Sequence, residues 1–203
     1  MSSLGSREKQ LLLEVARRAL IAAAERRESL DILPDEPNLR GCTGAFVTLH
    51  LRGRLRGCVG QIDSGEPLIR VIAHSAKAAG LEDPRFDPVR PDELEEIEIE
   101  LSVLSALEEI APERIEAGKH GLMVSRGWQR GVLLPQVATQ FRWESYRFLE
   151  ETCVKAGFAR DAWKDPGICI HGFTTEVFSE SEFGTAQRLG PLAGAKRGYS
   201  TST

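Results

Sequence analysis

The alternation of apolar and polar residues predicts a β-hairpin between residues 44 and 62. The apolar positions of its two arms are Ala45, Val47, Leu49 and Leu51, followed by Leu55, Gly57 and Val59. Successive side chains of a strand point to opposite faces of the sheet, so these positions form one apolar face. A three-residue turn from Arg52 to Arg54 keeps that face continuous, whereas a two-residue turn would mix the two faces.

The other face of this hairpin carries polar side chains. In the three-residue register, Thr48 lies opposite Cys58 and His50 lies opposite Arg56. Residues directly opposite each other in neighbouring strands are within side-chain reach. We therefore expect a hydroxyl, a thiol, an imidazole and a guanidinium on one side of the sheet.

Helical and strand periodicities follow along the rest of the chain. One apolar stripe predicts a helix over residues 7–28 with Ser6 as its N-cap, and another predicts a helix that begins near Pro67 and ends near Gly80. The remaining predicted elements are a strand at 97–103, a hairpin of 122–125 and 131–134 that Pro135 ends, a helix at 144–156 and a strand at 168–178. Helices beside antiparallel hairpins, without a βαβ alternation, predict an α+β fold with an antiparallel sheet flanked by helices.

Composition and charge narrow the class of protein. The chain has 203 residues and a net charge of −4, which argues against nucleic acid and anionic membranes as partners. It shows no secretory signal and no apolar run long enough to span a membrane, so we expect a cytoplasmic protein.

The four cysteines of the chain are Cys42, Cys58, Cys153 and Cys169. A reducing cytosol and a chain of this length favour free thiols over disulfides. Because no Cys-x-x-Cys pair is present, we expect neither a zinc ribbon nor a thioredoxin-type motif and assign no metal ligand. A Cys-His-His metal site is the alternative that the residue types alone would allow.

Cys58 is the candidate reactive group, because Gly57 and Gly60 flank it and Arg56 lies two positions away on the same face. A nearby cation favours the thiolate, which is the nucleophilic form of cysteine. Glycines leave the main chain open to a ligand, so Gly57, Gly60, Arg56 and Thr48 are the candidate substrate-binding residues. The alternative is structural, since cysteines are often buried and strand glycines often mark a bulge.

A thiol enzyme usually needs a base, and two of the four histidines are placed to serve. His50 is local to Cys58 in the predicted register, and His120 lies in a Gly-rich turn from which it could enter a cleft. Either could deprotonate or orient the thiol, so Cys58, His50 and His120 are the candidate catalytic residues. The alternative is that each histidine is a satisfied surface or core residue. No residue pattern identifies a cofactor.

Eight short motifs, spread over most of the chain, carry a family resemblance. They are Gly44-Ala45-Phe46-Val47-Thr48-Leu49, Leu55-Arg56-Gly57-Cys58-Val59-Gly60, Asp83-Pro84-Arg85-Phe86, Ser102-Val103-Leu104, Gly118-Lys119-His120-Gly121-Leu122, Leu134-Pro135-Gln136-Val137-Ala138, Trp143 and Lys155-Ala156-Gly157. In this order they resemble the AMMECR domain family, known in bacteria and archaea as AmmeMemoRadiSam system protein A. Val59 stands where that family usually has Ile, a difference of one methylene.

The resemblance implies a single two-lobed α+β domain over residues 7–184, in which a smaller lobe forms a cleft near the Leu-Arg-Gly-Cys stretch. It also implies an association with a Memo-like protein and a radical S-adenosylmethionine enzyme, and it supplies no reaction. The small and polar ends, residues 1–6 and 185–203, are predicted to be flexible.

Two classes of function fit these residues. The first is an enzyme, or an enzyme subunit, in which Cys58 is a nucleophile or redox thiol. The second is a non-catalytic adaptor or substrate-presenting module for the radical enzyme, in which the thiol need not ionise. Nucleic-acid binding through the arginine-rich hairpin is a third hypothesis, against which the acidic composition argues. The solvent exposure and polar neighbours of Cys58 distinguish the first two.

Overall fold

The computed structural model of the chain describes residues 4–26, 44–62 and 65–183. Within these residues there are four α-helices and eight strands. The helices are α1 (Ser6–Ala24), α2 (Leu68–Leu81), α3 (Pro135–Phe141) and α4 (Ser145–Lys155). The strands are β1 (Ala45–Leu51), β2 (Arg54–Gln61), β3 (Ile97–Leu104), β4 (Glu108–Glu109), β5 (Gly121–Arg126), β6 (Gln129–Leu133), β7 (Cys169–Phe173) and β8 (Thr175–Ser179). The strands form two four-stranded sheets, and the predicted α+β class is confirmed.

The chain divides into two compact units. Residues 103–176 form one, which we call the insert unit, and the segments before and after it form the other, the terminal unit. The sheet of strand order β2-β1-β3-β8 belongs mainly to the terminal unit, and the sheet of order β4-β7-β5-β6 belongs to the insert unit. The chain leaves the terminal unit within β3 and returns to it within β8.

Helix α1 buries the apolar stripe that the sequence predicts, with Leu12, Ala16 and Leu20 fully inaccessible to solvent. Its first turn differs from the prediction. Gly5 is the N-cap, and its backbone N–H donates to the Glu8 carboxylate at 2.7 Å. The prediction of Ser6 as N-cap is therefore wrong, because Ser6 is already the first helical residue and the Glu8 carboxylate reaches back to the N-cap N–H.

One partly buried ionic cluster ties α1 to the sheet of the terminal unit. The Glu180 carboxylate accepts from Arg17 Nε at 2.9 Å and from the Ile99 backbone N–H at 2.9 Å. Arg17 also donates to the carbonyl oxygens of Leu94 at 2.9 Å and Ile97 at 2.6 Å. A single arginine thus joins a helix, the start of β3 and the turn after β8.

Helix α2 follows Pro67, which serves as N-cap, and it continues through Gly80 to Leu81. The prediction that the helix ends near Gly80 is confirmed to within one residue, but Gly80 lies inside the helix and does not terminate it. A Cβ atom at this position would lie 2.5 Å from Leu20 Cδ1 of α1. Gly80 therefore allows α1 and α2 to pack closely, and the helix ends one residue later.

The β1–β2 hairpin has a two-residue turn, not the predicted three-residue turn. Arg52 and Gly53 both have positive φ, as in a type I′ turn. The register pairs Leu49 with Gly57 but His50 with Leu55, so Arg56 is an extra residue in a β-bulge. The bulge restores the parity that a two-residue turn alone would lose.

The bulge has two further consequences. His50 lies opposite Leu55, so the predicted pairing of His50 with Arg56 is wrong. Leu55 shares the face of His50 and is 43% exposed, so it does not belong to the apolar face as predicted. Beyond the bulge the predicted pairs are confirmed, because Thr48 lies opposite Cys58 and Val47 lies opposite Val59.

The insert unit contains the second predicted hairpin, formed by β5 and β6 around Gly127, whose φ is +59°. Its core lies between the sheet and helices α3 and α4, and consists of Ile115, Leu122, Val124, Ala138, Phe148, Leu149, Cys153, Ile168 and Ile170. Pro135 follows this hairpin as predicted, but it also begins α3, which the sequence analysis missed. The predicted strand at 168–178 is two strands, β7 and β8, in different sheets.

None of the helices in the described ranges is long and apolar enough to cross a membrane. Three parts of the sequence discussed above are not among the residues that the structure describes. Residues 1–3, Cys42 and the predicted flexible segment 185–203 lie outside the described residues.

Candidate functional site

Cys58 lies on β2, the strand at one edge of its sheet, and its thiol is free and half-buried. Its cross-strand partner Thr48 directs its hydroxyl at Cys58 Sγ, with Oγ1 and Sγ 3.3 Å apart. A hydroxyl that donates to sulfur stabilises negative charge on it. The structure therefore brings these two predicted residues together, with the hydroxyl as donor.

The main chain of Cys58 is held by two residues that the sequence analysis quoted only as a motif. Its N–H donates to Asp83 Oδ2 at 2.8 Å, and its carbonyl oxygen accepts from Arg85 Nη2 at 3.3 Å. Asp83 and Arg85 are themselves paired, since Nε donates to Oδ1 at 2.9 Å and Nη2 to Oδ2 at 2.6 Å. The outer edge of β2 is thus closed at Cys58 by an ion pair.

The local sequence explains how the Asp83–Arg85 pair forms. Asp83 follows the end of α2, and its Oδ1 also accepts the Arg85 backbone N–H at 3.1 Å. This is an Asx turn, which aspartate favours in connections that contain proline, here Pro84. The Asp83 side chain is only 3% exposed, whereas that of Arg85 is 54% exposed. The Phe86 ring lies against the guanidinium, 5.5 Å from Arg85 Cζ to the ring centroid.

The pKa values of Asp83 and Arg85 are both shifted away from their ordinary values. Hydrogen bonding from Arg85 holds the pKa of Asp83 far below its ordinary value, against the opposing effect of burial. The Asp83 carboxylate in turn raises the pKa of Arg85 against the opposing effect of burial, and Cys58 makes a smaller contribution in the same direction. The Arg85 guanidinium stays protonated and donates to the Cys58 carbonyl oxygen, so a cation lies beside Cys58, the kind of neighbour that stabilises a thiolate.

Arg56, the cation that the sequence analysis assigned to Cys58, is engaged elsewhere. Its Nε and Nη2 donate to the Glu93 carboxylate at 2.9 and 3.0 Å, and Nη1 donates to the Asp87 carbonyl at 2.9 Å. The side chains of Arg56 and Glu93 are 13% and 12% exposed. The bulge turns Arg56 toward the segment after α2, where its donors are already used by Glu93 and by the Asp87 carbonyl oxygen. A role of Arg56 in substrate binding stays a prediction.

Gly57 and Gly60 give close approach to the protein's own atoms. A Cβ atom at Gly57 would lie 2.2 Å from the Ala79 carbonyl oxygen of α2, and one at Gly60 would lie 2.3 Å from the Ala45 carbonyl oxygen. The Phe46 ring also covers Gly60, 2.5 Å from the same position. At both glycines, the position that a side chain would occupy is thus already taken by atoms of the protein itself. A substrate-binding role for either glycine stays a prediction.

The two candidate bases lie in different units. His50 is near Glu98, whose pKa is lowered mainly by hydrogen bonding from Ser181 and to a smaller extent by the charge of His50. Its Nε2 atom is buried and has no hydrogen-bond partner among the described residues. His120 belongs to the insert unit, where its Nδ1 accepts the Glu116 backbone N–H at 3.0 Å. That either histidine acts on Cys58 stays a prediction.

The other described cysteines provide a contrast. Cys153 is fully buried in the insert unit, and burial raises the pKa of its thiol. Cys169 is exposed on β7. In the part of the chain that the structure describes, no three His, Cys, Asp or Glu side chains are grouped closely enough to hold a metal ion.

Sequence reasoning missed Asp83 and Arg85 as members of this site. They lie 25 and 27 residues from Cys58, so no local periodicity connects them to the hairpin. The available signal was the spacing itself, because an aspartate two residues before an arginine, with proline between, favours a turn in which the two charges pair.

Comparison with known proteins decides the family. The AMMECR1 family model matches residues 13–178. The chain belongs to the AMMECR1 family. An AMMECR1 relative from Methanothermobacter thermautotrophicus is 40% identical over 181 residues, which cover 85% of this chain and 94% of the relative. Another, from Aquifex aeolicus, is 39% identical over 155 residues, which cover 72% and 80% of the two chains.

A solved structure supports the AMMECR1 fold. The crystal structure of an uncharacterised protein from Pyrococcus horikoshii matches with a TM-score of 0.73 and 35% sequence identity. The match covers 83% of this chain and 89% of that chain. The family and the fold are thereby shown, and the chemistry has to be inferred from the residues around Cys58.

Proposed function

We propose that this AMMECR1 protein is a thiol-dependent enzyme, or the thiol-bearing subunit of one, in which Cys58 is the nucleophile or redox group. The arrangement around the sulfur is the observation that carries the proposal. Arg85 supplies a cation, Thr48 supplies a hydroxyl donor at 3.3 Å, and Asp83 holds the cysteine main chain at 2.8 Å. Cys153, which fills the core of the insert unit, differs, because burial and the nearby carboxylates of Glu150 and Asp161 raise the pKa of its thiol.

The remaining roles follow from chemistry. His50 and His120 are the proposed proton carriers, since an imidazole titrates near neutral pH and can take the thiol proton. Thr48 is the proposed donor to the sulfur. We further propose that the protein works in the cytoplasm with a Memo-like protein and a radical S-adenosylmethionine enzyme. The resemblance of the motif series to the AmmeMemoRadiSam proteins supports these partners.

A cell-based assay of the three-gene system tests the thiol role. The chromosomal copy of the gene is replaced by Cys58→Ser or, as the matched control, Cys169→Ser, and the output of the system is measured. We expect Cys58→Ser to abolish the output and Cys169→Ser to retain it. Full output with Cys58→Ser would remove the thiol from the mechanism.

The alternative is a non-catalytic adaptor that presents a substrate, or itself, to the radical enzyme. One observation favours it: Trp128, the second residue of the two-residue turn between β5 and β6, is fully exposed. An exposed tryptophan of this kind is typical of a residue that binds a protein partner. The adaptor hypothesis predicts that Trp128→Ala abolishes co-purification with the radical enzyme, and that Cys58→Ser leaves both co-purification and output unchanged.

A further inference from the structure

Arg85 presents unused hydrogen-bond donors beside Cys58. Its Nε and Nη2 atoms donate to Asp83, and Nη2 also donates to the Cys58 carbonyl oxygen. Among residues 4–26, 44–62 and 65–183, no oxygen or nitrogen accepts from Nη1. Since the side chain is 54% exposed, a solute can reach these donors.

The guanidinium is held in one orientation before any ligand binds. The almost fully buried Asp83 carboxylate takes two of its donors, and the Phe86 ring lies against its face. A group that is already ordered loses less conformational freedom when it binds a ligand. An arginine anchored in this way suits an oxyanion better than a flexible surface arginine does.

Arg56, the hairpin arginine two residues before Cys58, is not available for the same task. Arg56 is nearly buried and gives its donors to Glu93 and to the Asp87 carbonyl oxygen. Arg85, unlike Arg56, thus combines a neighbouring thiol with a free donor.

We propose that Arg85 is the anion-binding residue of the Cys58 site and that the substrate carries a carboxylate or phosphate group. The Nη1 donors hold this group, and Cys58 Sγ reacts with an atom close to it. Asp83 is a positioning residue, since it acts on the substrate only by fixing Arg85 and the Cys58 main chain. The inference rests on the proposed function, because it names the substrate class for the same thiol.

Two alkylating reagents that differ in charge provide the test. In both reactions a carbon–sulfur bond forms at Sγ, the carbon–iodine bond breaks, iodide leaves and the thiol proton passes to solvent. Iodoacetate carries a carboxylate and iodoacetamide is neutral. The ratio of their rate constants at one cysteine therefore reports attraction of an anion to that site. Mass spectrometry measures this ratio for Cys58 and, as an internal reference, for Cys169 in the same molecules.

We expect the iodoacetate-to-iodoacetamide ratio at Cys58 to exceed that at Cys169, and Arg85→Gln to lower it about tenfold, as for one hydrogen bond to a charged group. Arg90→Gln is the matched control, because Arg90 lies on the same connecting segment, is exposed and pairs with Asp92. We expect this control to leave the ratio unchanged. Arg85→Lys, which keeps the charge but not the planar fork, is expected to retain part of the preference.

Arg85→Gln leaves the buried Asp83 carboxylate without its partner and could unfold the protein. The double variant Asp83→Asn with Arg85→Gln removes both charges. No unpaired charge is then buried, and the ratio of the two rate constants can still be measured. We expect it to lower the ratio as the single variant does.

Competition separates the two kinds of anion. Protection of Cys58 from iodoacetate by inorganic phosphate, and not by acetate, assigns a phosphate group to the substrate; the reverse assigns a carboxylate. Equal ratios at Cys58 and Cys169, unaffected by Arg85→Gln, would overturn the anion site while leaving the thiol role intact. Failure of Cys58 to react with either reagent would instead contradict the proposed function.

Discussion

The Asp83 carboxylate takes the place of a neighbouring strand at Cys58, since Oδ2 accepts the Cys58 N–H at 2.8 Å on the outer edge of β2. Backbone donors on an edge strand otherwise face solvent or another chain. Arg85 completes the arrangement by donating to the Cys58 carbonyl oxygen at 3.3 Å. The position of the thiol is therefore coupled to the segment that follows α2.

Asp83→Asn should lower the free energy of unfolding at pH 7 by about 2 kcal/mol, the effect of losing hydrogen bonds to a buried charged group. The loss should depend on pH. Because folding holds the pKa of Asp83 below its ordinary value of 3.8, its stabilisation is full above that value and is lost as the pH falls through the lower folded pKa. Urea unfolding at several pH values should thus show a steeper acid loss in wild type than in the variant.

Asp92→Asn provides the control for this prediction. The Asp92 carboxylate also pairs with an arginine, Arg90, but its side chain is 70% exposed. Solvent screens such pairs, so the pH profile of stability should follow that of wild type. Parallel acid profiles for wild type and Asp83→Asn would contradict the role of Asp83.

Gly57→Ala should be strongly destabilising because the new Cβ atom would lie 2.2 Å from the Ala79 carbonyl oxygen. Backbone atoms of α2 must move to relieve this contact, at a cost of about 3 kcal/mol. Gly53→Ala is the comparison, since its φ is +74° and no atom lies within 4 Å of the new Cβ. It should cost only about 1 kcal/mol, from the backbone conformation alone. Thermal unfolding of the two variants distinguishes steric overlap from backbone strain.

Glu180→Ala should destabilise the protein by about 2 kcal/mol, because it removes the acceptor of Arg17 and of the Ile99 N–H. Glu96→Ala removes an ion pair of Arg52 whose two side chains are 47% and 75% exposed. Exposed pairs of this kind contribute little, so its unfolding curve should overlay that of wild type. Equal effects of the two substitutions, measured by urea unfolding, would contradict this distinction.

Periodicity was sufficient to predict most of the terminal unit. The stripe on α1 and the pairing of Thr48 with Cys58 both follow from apolar spacing. The turn of the hairpin did not, because a two-residue turn with a bulge at Arg56 and a three-residue turn both keep the apolar face continuous up to Gly57. The bulge places Arg56 against Glu93, 37 residues away, a contact that no local pattern reveals.

The candidate site was predictable only in part, for a related reason. Cys58 and Thr48 are neighbours within one hairpin, whereas Asp83 and Arg85 reach Cys58 because α2 packs against β2 at Gly57. The sequence pattern indicates an opening for a ligand at Gly57, yet this glycine is the contact point that allows the packing. Long-range packing of that kind sets which cation lies beside the sulfur, and it replaces Arg56 by Arg85.

The most direct test of the account is the rate at which Cys58 reacts with iodoacetamide in the folded protein at pH 7. Exposure alone would make Cys169, which is exposed, react faster than the half-buried Cys58. We predict the opposite order, with Cys58 at least about tenfold faster, because Arg85 and Thr48 stabilise the thiolate. A Cys58 rate equal to or below that of Cys169 would contradict the claim that Cys58 is a functional thiol.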